Sequence, residues 1–386
     1  MSLLSIDVQA RTRRLESLLD QMMNDSVVAV VHGGDPRAPG TVLHETVNPR
    51  GTKTYRAVAE DIAASLRHSG FRKVHVVPDG LNLGVGLAAV GADMVWVNSG
   101  GVQGHDAASH TPAMLEMMGL PYIGHDPLTV ALLDNKHVFK HVMQSLGVPT
   151  APFIVWNGAQ APDSTALRAA LGGEGPYVAK PVSGRASNHV VVVDRLDDLP
   201  DAMRHIHAVT QHHVLVEAFL PGAEYAVAVC GGVRAQAGRL TISQEATIFS
   251  PVERLLAPGE RIFTSMDVAP ITHRRLSLLG QDDPVRAELT GLARAVYGGI
   301  NLATLVRLDV RAGADGVCRV LEANPKPDLK AADGDVTNIV SLGLPELGMT
   351  YDDLILSLFA DRLCDYATRG RNFAPGLSRF FEASLS

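Results

Sequence analysis

The chain has 386 residues, of which 46% are hydrophobic and 19% charged, and its formal net charge is −7. This length predicts two or three domains, and the composition is that of an ordinary globular protein. The negative charge argues against nucleic acid or an anionic membrane as the main partner. No apolar run approaches the ~20 residues that a transmembrane helix needs.

Targeting and redox signals favour the cytoplasm. The N-terminal stretch, MSLLSIDVQARTRR, carries its charges after its apolar residues and is therefore unlike a secretory signal. The three cysteines are far apart and odd in number, so no disulfide framework is expected. We therefore expect a protein of a reducing cytoplasm.

The N-terminal third alternates short apolar runs with amphipathic segments. Val27–Val31 predicts a buried parallel strand, and a loop rich in glycine and proline follows it. A helical apolar spacing then runs from Tyr55 to Leu66, and the runs KVHVV and MVWV predict two further strands. This alternation predicts a doubly wound α/β domain over residues 1–127.

The rest of the chain predicts two further units. A helix pair is expected from residue 128, and two strands flank a small-residue loop in YVAKPVSGRASNHVVVVD, so 128–213 is assigned to linker helices and a central lid domain. Strand pairs and terminal helices are expected within 214–386, the C-terminal domain. The segment Arg239–Pro284 mixes polarity and contains several prolines, and its elements cannot be assigned from the sequence.

A predicted strand hairpin carries the most informative polar residues. One strand contains Arg307 and Asp309, and the facing strand contains Glu322 and Asn324, each pair on one face by the alternation of a β-strand. Two carboxylates and an amide form an all-oxygen set, which suits Mg²⁺ that is bound together with phosphate oxygens. The alternative is a solvated strand face, which alternation alone would favour.

The neighbours of these residues favour the metal site. Apolar residues in both strands indicate a hairpin that packs on one side: Leu308, Val310, Val320 and Leu321. Two prolines, Pro325 and Pro327, then make the exit of the second strand rigid. A magnesium site with so few protein ligands predicts a nucleotide nearby.

Two lysines are candidates for contacts with nucleotide phosphates. Lys180 follows a short apolar strand and precedes a loop of small residues, whose N–H groups can approach phosphate closely. Lys136 lies on a predicted helix. The alternative for each lysine is plain surface charge. Neither GxxxxGK[ST] nor GxGxxG occurs, which removes the commonest nucleotide-binding motifs.

A bend between two predicted strands is a candidate nucleoside site. Glu217 ends the first apolar strand and Glu224 begins the next. Backbone groups of the bend can contact adenine, and Glu224 can accept hydrogen bonds from ribose hydroxyls. The alternative is a turn with solvated glutamates.

Histidines are frequent in the N-terminal loops and linker helices: His105, His110, His125, His137 and His141. The last two are four residues apart on one helix face, as zinc ligands can be. No HExxH or other complete ligand set accompanies them, so solvated or core histidines are the favoured interpretation.

The order and spacing of these segments resemble the ATP-grasp superfamily, and within it the D-alanine–D-alanine ligase-like carboxylate–amine ligases. The similarity runs from about Val27 to about Met349, and its most specific motif is RLDV followed by LEANPKP. The stretch from NSGG to LLDNK matches the loop–helix–strand–helix order of the ligases. The resemblance implies an α/β ATP-grasp fold of three domains: an N-terminal doubly wound α/β domain, a small α+β lid and a C-terminal α+β ATP-binding domain.

The resemblance also implies roles for individual residues. It assigns ATP to the two lysines, the small-residue loop and the strand bend: Lys136, Lys180, Ser183, Gly184, Glu217, Ala218, Leu220 and Glu224. Within this set the lysines contact the phosphates, Glu217 to Leu220 form the adenine hinge, and Glu224 binds ribose. Two Mg²⁺ ions, for which Mn²⁺ can substitute, are assigned to Asp309, Glu322 and Asn324. The catalytic residues implied are Arg307, which faces the transferring phosphoryl group, and Lys180.

The reaction implied is electrophilic activation of a carboxylate. ATP phosphorylates the carboxylate to an acyl phosphate, and an amine then displaces phosphate to give an amide, without a side-chain nucleophile. The partners expected are a small-molecule carboxylate and an amine, with neither nucleic acid nor membrane, and a homodimer is expected by resemblance only. Two alternatives stay open: an ATP-grasp ligase or carboxylase with a non-amino-acid substrate, and a non-catalytic nucleotide-binding protein.

Departures from the family pattern lie in substrate-contacting regions. The loop SGRASNHV has one glycine and contains Arg185, which is either an extra cation for the phosphates or a solvated loop residue. The N-terminal loop keeps His-Gly-Gly but lacks the usual serine-and-glutamate continuation, and Asp328 and Lys330 replace a small-residue stretch. We therefore expect substrates other than two D-alanines, with Asp328 and Lys330 contacting the amino and carboxyl groups of the acceptor.

Overall fold

Alternating strands and helices build the N-terminal part of the computed structural model. The structure describes residues 8–35, 38, 55–104, 106–160, 163–172, 175–184, 187–263, 271–369 and 375–383. The first elements are α1 (Val8–Asp25), β1 (Val27–His32), α2 (Arg56–His68), β2 (Lys73–Pro78), α3 (Leu83–Val90), β3 (Met94–Asn98), α4 (His110–Met117) and β4 (Tyr122–Ile123). The strands form a parallel sheet in the order β2-β1-β3-β4. The expected βαβ alternation is confirmed.

A helix pair leads into a second, antiparallel sheet. Its elements are α5 (Pro127–Asp134), α6 (Lys136–Ser145), β5 (Phe153–Trp156), α7 (Ser164–Leu171), β6 (Tyr177–Pro181), β7 (Val191–Val193), α8 (Leu199–Thr210) and β8 (Val214–Ala218). The strand order is β5-β8-β6-β7. The sheet thus includes β8, which lies beyond residue 213, where the C-terminal domain was expected to begin. The three-domain division itself stays a prediction.

A larger, antiparallel sheet forms the C-terminal part. Its elements are β9 (Glu224–Cys230), β10 (Val233–Gln236), β11 (Arg239–Ile242), β12 (Thr247–Ile248), β13 (Val252–Arg254), β14 (Leu276–Leu278), α9 (Pro284–Gly299), β15 (Val306–Ala312), β16 (Cys318–Asn324), α10 (Ile339–Leu342), α11 (Tyr351–Arg369) and α12 (Ser378–Ala383). The main order is β14-β13-β9-β15-β16, while β10 and β11 form a separate hairpin. The segment that could not be assigned from the sequence therefore supplies strands that flank β9.

The long helix α11 joins the N-terminal sheet to the C-terminal part. Arg362 on α11 donates to the backbone oxygen of Tyr122 at 3.1 Å, and the N–H of Tyr122 donates to the hydroxyl of Tyr366 at 3.0 Å. The rings of Phe71 and Phe359 pack with centroids 4.5 Å apart. These contacts fix the N-terminal sheet against the C-terminal part.

Among the described helices, none combines the length and the apolar character that a membrane span requires.

Candidate active site

The hairpin of β15 and β16 brings the predicted metal ligands together. Asp309 is directly opposite Glu322, and Arg307 is opposite Asn324. The predicted pairing is confirmed in this register, and all four residues line one cavity. Residues directly opposite each other in an antiparallel pair have close Cβ atoms, so the two carboxylates extend from neighbouring points of the hairpin.

A bulge in β16 changes one expectation about this hairpin. The register shifts after Asp309, so Val310 pairs with Val320 and Leu321 is skipped. Val320 is fully buried in the core, whereas Leu321 is half-buried and lines the cavity beside Glu322. The prediction that Leu321 packs with the core side of the hairpin is therefore wrong. A bulge inserts one residue and turns the next side chain to the same face, which strict alternation cannot anticipate.

Asp309 lies at the centre of a network of cationic and amide donors. Arg307 donates to it twice, at 2.8 and 2.9 Å, and Arg254 donates to it at 2.9 Å. Asn324 Nδ2 is 3.3 Å from the same carboxylate. Burial opposes ionisation of Asp309, but the two guanidinium groups outweigh it and hold its pKa below the ordinary value. The carboxylate is therefore held in its charged form.

Arg254 joins this carboxylate to the predicted ribose residue. It is 8% exposed and donates to Glu224 at 2.9 Å, while Arg311 donates to the other oxygen of Glu224 at 3.4 Å. Within the described residues, Arg254 Nε is a buried donor without a hydrogen-bond partner. A buried unpaired donor costs about 1–3 kcal/mol, so the cavity offers a place for an acceptor atom of a ligand.

Lys136 reaches the hairpin from the start of α6. Asn135 caps this helix by accepting from the N–H groups of His137 and Val138. The Lys136 ammonium lies 3.2 Å from Glu322 Oε2 and donates to the backbone oxygen of Gly184 at 3.2 Å. The structure therefore places this lysine between a predicted metal ligand and the predicted phosphate loop.

Lys180 belongs to a buried ion cluster that the sequence did not reveal in full. Glu217 accepts from Lys180 and lies 2.9 Å from the ammonium of Lys140, which is 0% exposed. Burial would raise the pKa of Glu217, but the two lysines lower it to about 2. Burial lowers the pKa of Lys140, whereas Glu217 and Glu322 outweigh burial and raise that of Lys180. The carboxylate of Glu217 therefore forms ion pairs with two lysines, and its position fixes Lys180 beside the cavity.

The predicted nucleotide residues share the cavity with the hairpin. Its lining includes most of the predicted set: Lys136, Lys180, Gly184, Glu217, Ala218, Leu220 and Glu224. Ser183 is not part of this lining; its hydroxyl donates to Asp134 at 2.7 Å and so anchors the loop to α5. At the bend, the N–H of Phe219 donates to the backbone oxygen of Pro176 at 3.0 Å. Arg185 lies outside the described residues.

The residues after β16 turn towards the N-terminal sheet. Asp328 lines the cavity, and its carboxylate accepts from the N–H of Lys330 at 3.3 Å. Lys330 is not among the described lining residues, so its substrate role stays a prediction that the cavity does not support. Lys326 does line the cavity and contacts Tyr55 and Asn98.

The histidines form no metal centre in the part of the chain that the structure describes. His137 and His141 contact each other through their Nε2 atoms at 3.0 Å on the outer face of α6. His125 is buried and donates from Nε2 to the backbone oxygen of Leu305, and burial lowers its pKa to about 4. His105 lies outside the described residues. A surface pair and a core histidine agree with the favoured interpretation.

Several residues of the site were not predicted from the sequence: Lys140, Arg254, Arg311 and Lys326. Lys140 is four residues after Lys136 on α6, so helical spacing could have placed it on the same face. Arg254 lies in the segment whose strands could not be assigned, and its register opposite Glu224 exists only in the folded sheet. The sequence carries no local signal for that pairing.

Sequence comparison shows that this chain resembles a family of ligases. The family model described as the D-ala D-ala ligase C-terminus matches residues 142–360. A D-alanine–D-alanine ligase of Synechococcus sp. (strain JA-3-3Ab) is 29% identical over 279 residues, which cover 71% of this chain and 77% of that protein. One from Gloeobacter violaceus is 28% identical over 306 residues, which cover 79% of this chain and 92% of that protein.

Solved structures show the same fold. A D-alanine–D-alanine ligase from Bacillus anthracis complexed with ATP has a TM-score of 0.66 at 18% identity, covering 90% of this chain and 100% of that one. A D-Ala:D-Ser ligase from Enterococcus faecalis has a TM-score of 0.62 at 16% identity, covering 88% of this chain and 100% of that one. These likenesses confirm the expected ATP-grasp fold. With more than half of its length matched by the family model, the chain belongs to the D-alanine–D-alanine ligase family of ATP-dependent carboxylate–amine ligases.

Proposed function

We propose that the cavity around the β15–β16 hairpin is the centre in which this ligase activates a carboxylate with ATP and joins it to an amine. One observation carries the proposal: Asp309 and Glu322 face each other on the hairpin, with Asn324 beside them and four basic residues around them. Those basic residues are Lys136, Lys180, Arg254 and Arg307. Paired carboxylates beside a set of cations suit divalent metal and polyphosphate together.

The donor set fits a divalent cation. Two guanidinium groups meet the negative charge of Asp309 within hydrogen-bond distance, which supports a position that stabilises positive charge. We assign the metal to Asp309, Glu322 and Asn324, with two Mg²⁺ ions and Mn²⁺ as a substitute. Bound there, the metal would neutralise phosphate charge and polarise the phosphoryl group.

The residues of this chain then have separate tasks. Lys136 and Lys180 hold the phosphates, and Arg254 offers its unpaired Nε–H to an oxygen of the bound nucleotide. The bend from Glu217 to Leu220 borders the adenine, and Glu224 accepts from ribose. Glu217 acts mainly by fixing Lys180, because its carboxylate is occupied by two lysines.

The reaction takes place in two transfers. A carboxylate oxygen attacks the γ-phosphorus of ATP, the bond to the bridging oxygen breaks, and ADP leaves. The amine then attacks the acyl carbon, the acyl carbon–oxygen bond breaks, and the leaving phosphate takes up the proton that the amine loses. Arg307, whose guanidinium lies against Asp309, stabilises negative charge on the transferring phosphoryl group. The protein positions both reactants and supplies no nucleophile of its own.

We propose an amino-acid acceptor and a substrate pair other than two D-alanines. The support is that Asp328 lines the cavity where the family pattern has small residues, so its carboxylate can meet an amino group. The fold of the D-Ala:D-Ser ligase from Enterococcus faecalis is similar, so a change of acceptor is compatible with this architecture.

We also propose the partners and the location of the enzyme. The net charge of −7 supports small-molecule substrates over nucleic acid or an anionic membrane. The three free cysteines support a cytoplasmic location. A homodimer is proposed from the family resemblance alone.

Phosphate release tests the proposal. Purified protein is incubated with ATP and either a panel of amino acids of both hands or carboxylates that lack an amine, with and without Mg²⁺, and mass spectrometry identifies condensed products. We expect release that needs both an amine and Mg²⁺. Release with carboxylates but without any amine requirement would favour the non-amino-acid alternative. No release across the panel would contradict the amino-acid ligase.

A further inference from the structure

The hydroxyl of Thr150 joins a buried lysine to the metal-site hairpin. It accepts a hydrogen bond from the ammonium of Lys140 at 2.6 Å and donates one to the backbone oxygen of Val320 at 2.8 Å. Thr150 lies in the segment between α6 and β5, whereas Val320 belongs to β16. One side chain therefore connects the linker helices to the hairpin that carries Glu322.

A backbone contact strengthens this connection at the bulge of β16. The N–H of Val320 donates to the backbone oxygen of Pro149 at 2.8 Å, so two consecutive residues of the linker bind both backbone groups of Val320. Val320 is also the residue after which Leu321 is skipped in the pairing with β15. The linker is thus fastened to the hairpin two residues before Glu322.

The other end of the connection is held by the charge of Lys140. Its ammonium lies 2.9 Å from Glu217 Oε2 and 5.3 Å from the centroid of the Phe153 ring, and it donates to the backbone oxygen of Ala151 at 3.5 Å. Taking an ammonium out of water is costly unless its donors find partners in good geometry. Burial therefore restricts Lys140 to the position in which these partners and Thr150 surround it.

The contacts form a continuous path between two parts of the cavity. Lys180 pairs with Glu217, Glu217 pairs with Lys140, and Thr150 continues the path to β16. Lys180 and Glu322 both line the cavity. Burial lowers the pKa of Lys140, and the negative charges of Glu217 and Glu322 oppose this shift. The buried lysine therefore interacts with the carboxylates at both ends of the path.

The bulge gives this path a mechanical role. A β-bulge disrupts the ladder locally and bends its strand, so the direction of the residues that follow depends on contacts outside the ladder. For β16, the contacts of Thr150 and Pro149 with Val320 supply that support. Loss of the hydroxyl would remove a donor from a buried backbone oxygen and allow Glu322 to move.

We propose that Thr150 is a positioning residue, whose hydroxyl ties the bulge of β16 to the Lys140–Glu217 ion pair and so sets Glu322 relative to Lys180. This inference rests on the proposed function, in which Glu322 holds the metal and Lys180 holds the phosphates. Thr150 is not among the described residues that line the cavity, so it acts through its two partners. Mg²⁺ and nucleotide then strengthen each other's binding only while the hydroxyl is in place.

Calorimetric titration with ADP tests this role without requiring turnover. Each protein is titrated once with saturating Mg²⁺ and once with EDTA, and the ratio of the two affinities is the Mg²⁺ enhancement. Thr150→Val should reduce this enhancement by roughly 5-fold or more, within the usual range of coupling between two sites. ADP affinity in EDTA should stay close to that of wild type, because Glu217 still holds Lys180.

Three further variants separate positioning from general structure. Thr150→Ser keeps the hydroxyl and should restore the wild-type enhancement, whereas Thr150→Ala is a second variant without it and should behave like Thr150→Val. Thr210→Val is the matched control, because the buried Thr210 also donates to a backbone oxygen, that of Ile206, and accepts from the N–H of His212. Thr210→Val should lower the urea midpoint and keep the full Mg²⁺ enhancement.

Three outcomes would overturn the positioning role. These are a wild-type enhancement in both Thr150→Val and Thr150→Ala, a loss in Thr150→Ser as large as in Thr150→Val, and an equal loss in Thr210→Val. Absence of any Mg²⁺ enhancement in wild type would overturn the role together with the metal assignment. Failure of the ligase function alone would look different, because the enhancement would still depend on the hydroxyl while phosphate release needed no amine.

Discussion

Arg254 donates a hydrogen bond of 2.9 Å to Asp309, the residue to which we assign the metal. The same guanidinium reaches Glu224 at 2.9 Å, so one buried cation joins the proposed metal and ribose residues. This arrangement balances two carboxylates that would otherwise be buried beside each other. A metal ion at Asp309 would therefore compete with the cations that this carboxylate already contacts.

Replacing Arg254 should lower the stability of the protein, because Glu224 and Asp309 share this cation. Arg254→Met leaves Glu224 and Asp309 with one fewer cationic partner, and breaking a buried pair costs about 3–5 kcal/mol. Mg²⁺ alone should restore more stability to this variant than it adds to wild type, because the metal replaces lost positive charge. Urea unfolding with and without Mg²⁺ measures both effects.

The control for this experiment is Arg195→Met, which removes an exposed arginine paired with Asp197. Exposed pairs contribute about 0–1 kcal/mol, so its unfolding should match wild type. An equal Mg²⁺ effect on wild type and Arg254→Met would contradict the proposed balance.

The ion cluster of Glu217 predicts a specific pH dependence. The pKa of Glu217 is lowered from 4.5 to about 2, so the unfolded chain binds a proton at this residue at higher pH than the folded chain does. The resulting stabilisation is complete above about pH 4.5 and is lost as the pH falls towards 2. Acid should therefore destabilise the protein through this cluster.

Lys140→Met isolates this contribution. The variant should be less stable than wild type by about 3–5 kcal/mol near neutral pH, because one of two buried partners of Glu217 is gone. The pKa of Glu217 should rise in the variant, so the stability difference should shrink as the pH is lowered towards 3. Urea midpoints over this pH range provide the measurement, and a difference independent of pH would refute the mechanism.

The bulge in β16 predicts opposite effects for two neighbouring residues. Val320→Ala removes buried methyl groups and should lower the free energy of unfolding by about 1–3 kcal/mol, with little effect on nucleotide affinity. Leu321→Ala should weaken nucleotide affinity and have little effect on the free energy of unfolding, because Leu321 lines the cavity. Urea unfolding and ADP titration of the two variants compare them directly. If both variants lost only stability, the bulge assignment would be wrong.

Sequence patterns predicted much of the hairpin because its chemistry is local. The alternation in VRLDV and RVLEAN placed Asp309 and Glu322 on facing strands, and the register confirms it. The βαβ alternation of the N-terminal part followed from apolar runs such as Val27–Val31. Elements with strong periodicity and close neighbours could therefore be predicted.

Long-range contacts could not be predicted in this way. Arg254 meets Glu224 across two strands that are 30 residues apart in sequence, and Lys326 meets Tyr55 only because the N-terminal sheet packs against the hairpin. The skipped Leu321 depends on a register shift that no alternation rule contains. Each of these features is a property of packing between distant segments.

Turnover of hairpin variants tests the central claim most directly. Amine- and Mg²⁺-dependent phosphate release is measured for wild type, Asp309→Asn, Glu322→Gln and the control Asp315→Asn, whose exposed carboxylate contacts Arg319 at the hairpin tip. Circular dichroism verifies that all four proteins are folded. We predict a loss of roughly 100-fold or more in Asp309→Asn and Glu322→Gln, and wild-type turnover in Asp315→Asn. Unchanged turnover in both Asp309→Asn and Glu322→Gln would contradict the account.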